Sequence, residues 1–187
     1  MQVRNALACA GAWLSLAACA TPEAPRPADR DLLVTLASLS EFGLALPDGY
    51  AQHEHFRRER RSDGTLSLEY EFQTPDGDPP FVYSSAKIFS SPSEACLSYS
   101  ADNLGLRLSS LQPTDRNDLY QYGERSRFAL VERDGTPVGN VFAMCRSRTS
   151  LLVMFVGLYF DDTASWRALI EPHLQALDAF EAANPEE

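Results

Sequence analysis

The chain has 187 residues, 44% of them hydrophobic and 22% charged, a balance that excludes a disordered polyelectrolyte and can supply a packed core. Its 26 acidic and 16 basic residues leave a formal charge of −10, which disfavours nucleic acid and anionic surfaces as partners held by charge alone. No internal repeat is visible, and the stretch from Asp31 onward, about 150 residues, suits one domain rather than two.

Residues 1–18 have the layout of an export signal: a short start with one charge, Arg4, an apolar run from Ala6 to Ala18, and small residues at its end. The run is shorter than the roughly 20 apolar residues that a bilayer-spanning helix needs. It ends Leu16-Ala17-Ala18-Cys19, which resembles the bacterial lipobox, in which Leu, two small residues and an obligatory Cys are read by the lipoprotein signal peptidase. The resemblance implies cleavage before Cys19 and lipid attachment to its thiol. Each buried methylene of an acyl chain contributes about 0.8 kcal/mol, so several chains anchor firmly. Ala18-Cys19-Ala20 also fits ordinary signal peptidase, which would release a soluble periplasmic protein. Cys9 has too few apolar residues before it to serve as the lipidated cysteine. Ala20 follows Cys19 where, by the same resemblance, an Asp would favour inner-membrane retention, so the expected location is the outer membrane, facing the periplasm, with the cell surface or the soluble periplasm as alternatives.

Ala20 to Arg30 contains Pro22, Pro25 and Pro27 and little that can pack, so residues 19–30 read as a semi-rigid tether, reaching roughly 30 Å at about 3 Å per residue. The globular domain is expected over residues 31–182, with an acidic tail at 183–187. Asp31 to Phe42 places Leu32, Leu33, Leu36, Leu39 and Phe42 on one face of a short helix that Gly43 ends. Leu46-Pro47-Asp48-Gly49 is a turn signal. Tyr50 to Arg61 and Thr65 to Phe72 flank Ser62-Asp63-Gly64 as a hairpin, its second arm alternating Leu66, Leu68, Tyr70 and Phe72 with polar residues. Phe81 to Phe89 is a third strand. Ser91, Pro92 and Glu94 open a helix that runs to about Leu104, with Gly105 as its terminator. Strands follow at Leu119 to Tyr122, Arg127 to Glu132, Val138 to Arg146 and Leu151 to Phe160, with Asp134-Gly135 as a turn. The last strand is apolar on both faces and therefore central. Asp161 or Asp162 caps a final helix whose stripe is Trp166, Leu169, Ile170, Leu174, Leu177 and Phe180, with Pro172 inside it.

The order predicts an α+β fold: a single sandwich domain with a mainly antiparallel sheet covered by an N-terminal, a mid-chain and a C-terminal helix. In this order of elements, with its hairpin ending at Arg146 and its long terminal helix, the chain loosely resembles the PsbP-type α/β/α sandwich and envelope domains that share it. That likeness implies a fold and no function.

The residues that could carry chemistry are few. His53 and His55 share one face of an expected strand and could hold a metal with a third ligand, which nothing nearby supplies; as two polar side chains on a solvated face they need no ligand. His173 lies beside the apolar stripe of the last helix, where a satisfied histidine is the plainer account. The sequence contains no G-x-S-x-G nucleophile elbow and no Gly-rich phosphate loop, so no catalytic residue and no cofactor is assigned. Cys96 and Cys145, the only thiols besides Cys19 in the mature chain, are expected to form a disulfide in an oxidising compartment. Arg57, Arg58, Arg60 and Arg61 form the one dense basic stretch, with Arg125, Arg127, Arg146 and Arg148 a looser second set. Such charges solvate an edge strand and discourage strand addition. Arginine also grips carboxylates and phosphates bidentately, which makes the first four candidate contacts for an acidic partner, a peptidoglycan stem or a lipid head group. The sequence therefore reads as a non-enzymatic envelope lipoprotein, held to the membrane by lipid, whose domain binds a protein partner or small ligand. A metal-binding or enzymatic domain centred on His53 and His55, and an accessory subunit of an envelope complex, stand as alternatives.

Overall fold

A computed structural model describes residues 20–44, 51–109, 111 and 113–184. The expected export signal with Cys19, the expected turn at Leu46 to Gly49 and the last three residues lie outside them. Eight strands form one antiparallel sheet: β1 (Ala20–Glu23), β2 (Glu54–Arg61), β3 (Leu66–Gln73), β4 (Phe81–Ile88), β5 (Thr114–Asp115), β6 (Arg125–Arg133), β7 (Thr136–Arg146) and β8 (Thr149–Val156), in the spatial order β1-β2-β3-β4-β8-β7-β6-β5. With helices α1 (Leu36–Ser40), α2 (Pro92–Leu108) and α3 (Thr163–Ala183), this is the α+β single domain that the sequence predicts. β8 is central, paired with β4 on one side and β7 on the other, as its two apolar faces require.

One face of the sheet carries the main core. Leu66, Leu68, Tyr70 and Phe72 of β3, Val82 of β4, Phe128 of β6, Phe142 of β7 and Val153 and Phe155 of β8 point there, and α1 and α3 close over them. Trp166 of α3 sits at the centre, fully buried against the rings of Tyr120, Phe128, Phe142, Phe155 and Phe160. The other face is covered by α2 over β7 and β8, where Leu106 packs with Ala129, Val131, Val141 and Met154. Beyond α2 that face is charged. Arg57 stands opposite Glu69 and His55 opposite Glu71, cross-strand pairs that suit a solvated surface.

Local chemistry sets the element ends. Asp134 and Gly135 both take positive φ, at 53° and 75°, and close the two-residue β6–β7 hairpin expected of an Asp-Gly pair. Ser91 accepts from the Glu94 N–H, while the Glu94 carboxylate accepts from the hydroxyls of Ser90 and Ser91. Asp162 caps α3 by accepting from the Ser165 N–H at 2.8 Å.

Several expectations are corrected. Asp31 to Phe42 is not one helix: a 3-10 turn at Pro27–Leu32 is followed by extended chain, and α1 begins only after Thr35, whose hydroxyl accepts from the Ser38 N–H while the Ser38 hydroxyl accepts from the Thr35 N–H. The extended stretch buries Leu33 and Val34 in succession. Leu119 to Tyr122 is not a strand. The Phe128 N–H donates to the Asn117 side chain, a turn closes at Arg116 to Leu119, and the edge strand forms earlier, at β5. Tyr120 then enters the core from a loop. α2 continues through the buried Gly105 to Leu108, and β8 ends at Val156, where Gly157 turns the chain at φ 113°.

The largest departure concerns residues 20–30, which are no free tether. Ala20 to Glu23 pair with Arg61 to Arg58 as an edge strand, and the 3-10 turn that follows packs beside α3. The reason is electrostatic and lies in side chains distant in sequence, described next.

Candidate functional site

Arg58 points to the core side of β2, opposite Leu68, and its side chain is fully buried. Its Nη1 donates to Asp29 Oδ1 at 2.7 Å and its Nε to Glu23 Oε2 at 2.7 Å. Asp29, itself buried, accepts a second bond from the Arg26 N–H at 2.7 Å. Glu23 also accepts from Arg60 Nε at 2.9 Å, and hydrogen bonds from Arg58 and Arg60 hold its carboxyl below the usual range. Buried charge is tolerated only when paired in this way. Of the four arginines expected to face solvent, Arg57 does; Arg58 is instead the clasp that fixes the N-terminal segment to the sheet, and Arg60 lends it a second bond. Arg61 ends β2 and pairs in register with Ala20.

The second arginine set gathers at the same end of the sheet. A shallow recess of about 390 Å³ is lined by Arg146, Ser147, Arg148, Asp178, Glu181 and Ala182. Arg146 Nη1 donates to Asp178 Oδ2 at 2.7 Å and to the Tyr122 hydroxyl, which donates to the same carboxylate at 3.0 Å; the Arg146 guanidinium also lies 5.1 Å over the Tyr122 ring. Glu181 accepts from the hydroxyls of Ser147 and Thr149 and from the Arg148 N–H, with Arg148 Nε 3.6 Å away. Burial pushes the Glu181 carboxyl up, but these donors outweigh it and hold it below its ordinary range. Ser147 takes a left-handed φ of 49°, uncommon for serine, with its hydroxyl committed to Glu181. Arg127 lies apart, buried and bound to Asp115 at 2.6 Å, and Arg125 is exposed at the start of β6.

Chemically, hydrogen-bond donors hold the Glu23 and Glu181 carboxyls below their ordinary range, and each is set against guanidiniums fixed by the fold. His53 lies in a 3-10 turn and His55 is exposed on β2, and among the described residues no three His, Cys, Asp or Glu side chains gather as a metal-binding group. His173 Nδ1 meets the Asp31 carbonyl oxygen at 2.9 Å and joins α3 to the N-terminal segment; burial lowers its imidazole pKa. The Cys96 and Cys145 sulfurs lie at bonding distance, with Cα atoms 5.2 Å apart, linking the first turn of α2 to β7. On the outer face of α2, Leu97, Leu104 and Leu108 are more than half exposed.

Sequence reasoning missed Glu23, Asp29, Asp178 and Glu181. Asp178 and Glu181 stand three apart on α3, a spacing that puts both on one face, and this was the one local sign that they could meet a pair of arginines together. Glu23 and Asp29 carried no such sign, because their partner sits about 30 residues on, where only the folded edge brings it near. No protein family, no curated protein and no solved structure matches this chain.

Proposed function

We propose that the chain is a lipid-anchored lipoprotein of the bacterial outer membrane, cut before Cys19, whose periplasm-facing α+β domain acts as a binding module for an envelope protein or small ligand rather than as an enzyme. The observation that carries this reading is the Leu16-Ala17-Ala18-Cys19 box behind a charged start and an apolar run. Supporting it, the charged groups of the one recess described are matched to one another: Arg146 to Asp178 and Arg148 to Glu181. Side chains so committed orient and stabilise a surface.

The test replaces Cys19 with Ala in the full chain. The variant should incorporate no labelled fatty acid and should lose normal maturation and membrane fractionation. A variant that still takes up fatty acid, or that is processed and sediments with membranes as the parent does, overturns the lipoprotein reading. Affinity capture from solubilised envelopes with the parent chain then identifies what the domain binds.

A further inference from the structure

We infer that the domain stands directly on the bilayer, without a spacer, on the sheet end formed by the Ser62-Asp63-Gly64 hairpin turn and the Ser147-Arg148 turn. This rests on the lipoprotein reading and goes beyond it by naming which surface meets the lipid.

The placement follows from where the anchored residue joins the fold. Cys19 is bonded to Ala20, and Ala20 is already a strand residue in register with Arg61. One residue spans at most about 3.6 Å, so no length of chain that could serve as a spacer separates residue 19 from the sheet. β1 in turn is held by Glu23 to Arg58 and Arg60, and the turn after it by Asp29 to Arg58. A lipid on Cys19 therefore fixes an end, not a leash.

That end can be traced strand by strand. Arg61 ends β2, Leu66 begins β3, Ile88 ends β4 opposite Thr149 of β8, and Arg146 ends β7 opposite the same residue. Arg125 begins β6 opposite Cys145. The loops at Thr74 to Pro80, Asp134-Gly135 and Gly157 to Asp162 lie at the opposite end, across strands of eight residues that span roughly 26 Å.

Charge agrees with this orientation. At the anchored end Arg61, Arg125, Arg146 and Arg148 offset all but one of Asp63, Glu94, Glu124, Asp178 and Glu181. The opposite loops carry Asp76, Asp78, Asp134, Asp161 and Asp162, all exposed, with Arg133 and Glu132 beside them cancelling. Standing upright keeps these acids several screening lengths, each about 8 Å at physiological ionic strength, from lipid phosphates; lying flat would not.

The experiment uses the full lipidated chain reconstituted in phosphatidylethanolamine and phosphatidylglycerol vesicles that contain a fraction of lipid with a nitroxide head group. A fluorophore is attached in separate chains at S62C and at D76C, both exposed loop positions, with D161C as a second distant site should either variant fold poorly. The label at 62 should lose most of its emission to the head-group quencher, and labels at 76 and 161 almost none. Inserting a 12-residue Gly/Ser stretch between Cys19 and Ala20 should abolish most of that contrast. Equal quenching at the near and distant sites in the parent, or a contrast that the insertion leaves unchanged, overturns the inference while fatty-acid incorporation, measured on the same sample, leaves the lipoprotein reading intact. A chain that carries no fatty acid overturns both.

Discussion

Replacing Arg58 alone with Ser would strip a fully buried guanidinium from between two carboxylates and leave Asp29, itself buried, with only the Arg26 N–H as a partner. Removing one member of a buried ion pair costs about 3–5 kcal/mol, because the remaining charge has lost its compensation. For a domain of this size, each kcal/mol lowers the melting temperature by about 2–4 °C, so R58S should melt roughly 6–20 °C below the parent. R57S, on the opposite, solvated face of the same strand, should change stability by less than about 0.5 kcal/mol. Pairing R58M with D29N and E23Q replaces the charges with groups that need no counter-ion, and should recover part of the loss, which a generic packing defect would not. The assay is urea or thermal unfolding of the mature domain, with Cys19 replaced, followed by circular dichroism. If R58S and R57S unfold together within 0.5 kcal/mol of the parent, the clasp is not a structural contact and the docking of β1 loses its explanation.

Three further outcomes are expected. The mature domain, denatured without reductant and with Cys19 replaced, should show no free thiol; two free thiols per chain would refute a Cys96–Cys145 bond, and C96A with C145A should cost about 4 kcal/mol from loop closure over a separation of 49 residues. Gly139→Ala should abolish folding or cost on the order of 4 kcal/mol, because a Cβ there would lie 2.0 Å from the Phe155 carbonyl oxygen; soluble yield and a normal transition in the variant would contradict the β7–β8 register. Burial lowers the His173 pKa below its unfolded value of about 6.5, so the folded state binds fewer protons in that window; the stability it contributes is complete above about pH 6.5 and is lost as pH falls below it. Urea midpoints at pH 7.5 and pH 5 should therefore fall further in the parent than in H173Q, and equal falls would show that the imidazole does not carry the effect.

Long apolar periodicities were legible, and so were turns whose chemistry is local. Leu66 to Phe72, Leu151 to Val156 and the stripe from Trp166 to Leu177 each announce an element by spacing alone, and Asp134-Gly135 and Ser91-Pro92 mark boundaries with residues that suit few other conformations. What escaped was decided across long sequence separations. Prolines 22, 25 and 27 make residues 20–30 look unable to pack, and it is Arg58 and Arg60, on another strand, whose ion pairs help draw that segment in. Arg57 and Arg58 are neighbours of the same type with opposite fates, because strand pleating sends adjacent side chains to opposite faces and the sequence alone does not say which face is buried. Leu119 to Tyr122 had strand composition, but Tyr120 is used from a loop, against Phe142 and Trp166.

The order of strands in the sheet carries a kinetic consequence. β2-β3-β4 and β6-β7-β8 are each meanders in which every strand pairs with its neighbour in sequence, so both can form from contacts close along the chain. The β4–β8 junction is different: Ile88 meets Thr149 and Phe81 meets Val156 only after the whole of α2 and the second meander have been looped back. Closing that loop costs chain entropy before any contact repays it, so this seam is expected to form last. Until it closes, β4 and β8 each expose an unpaired, largely apolar edge, and a newly made chain is then most exposed to pairing with another copy of itself.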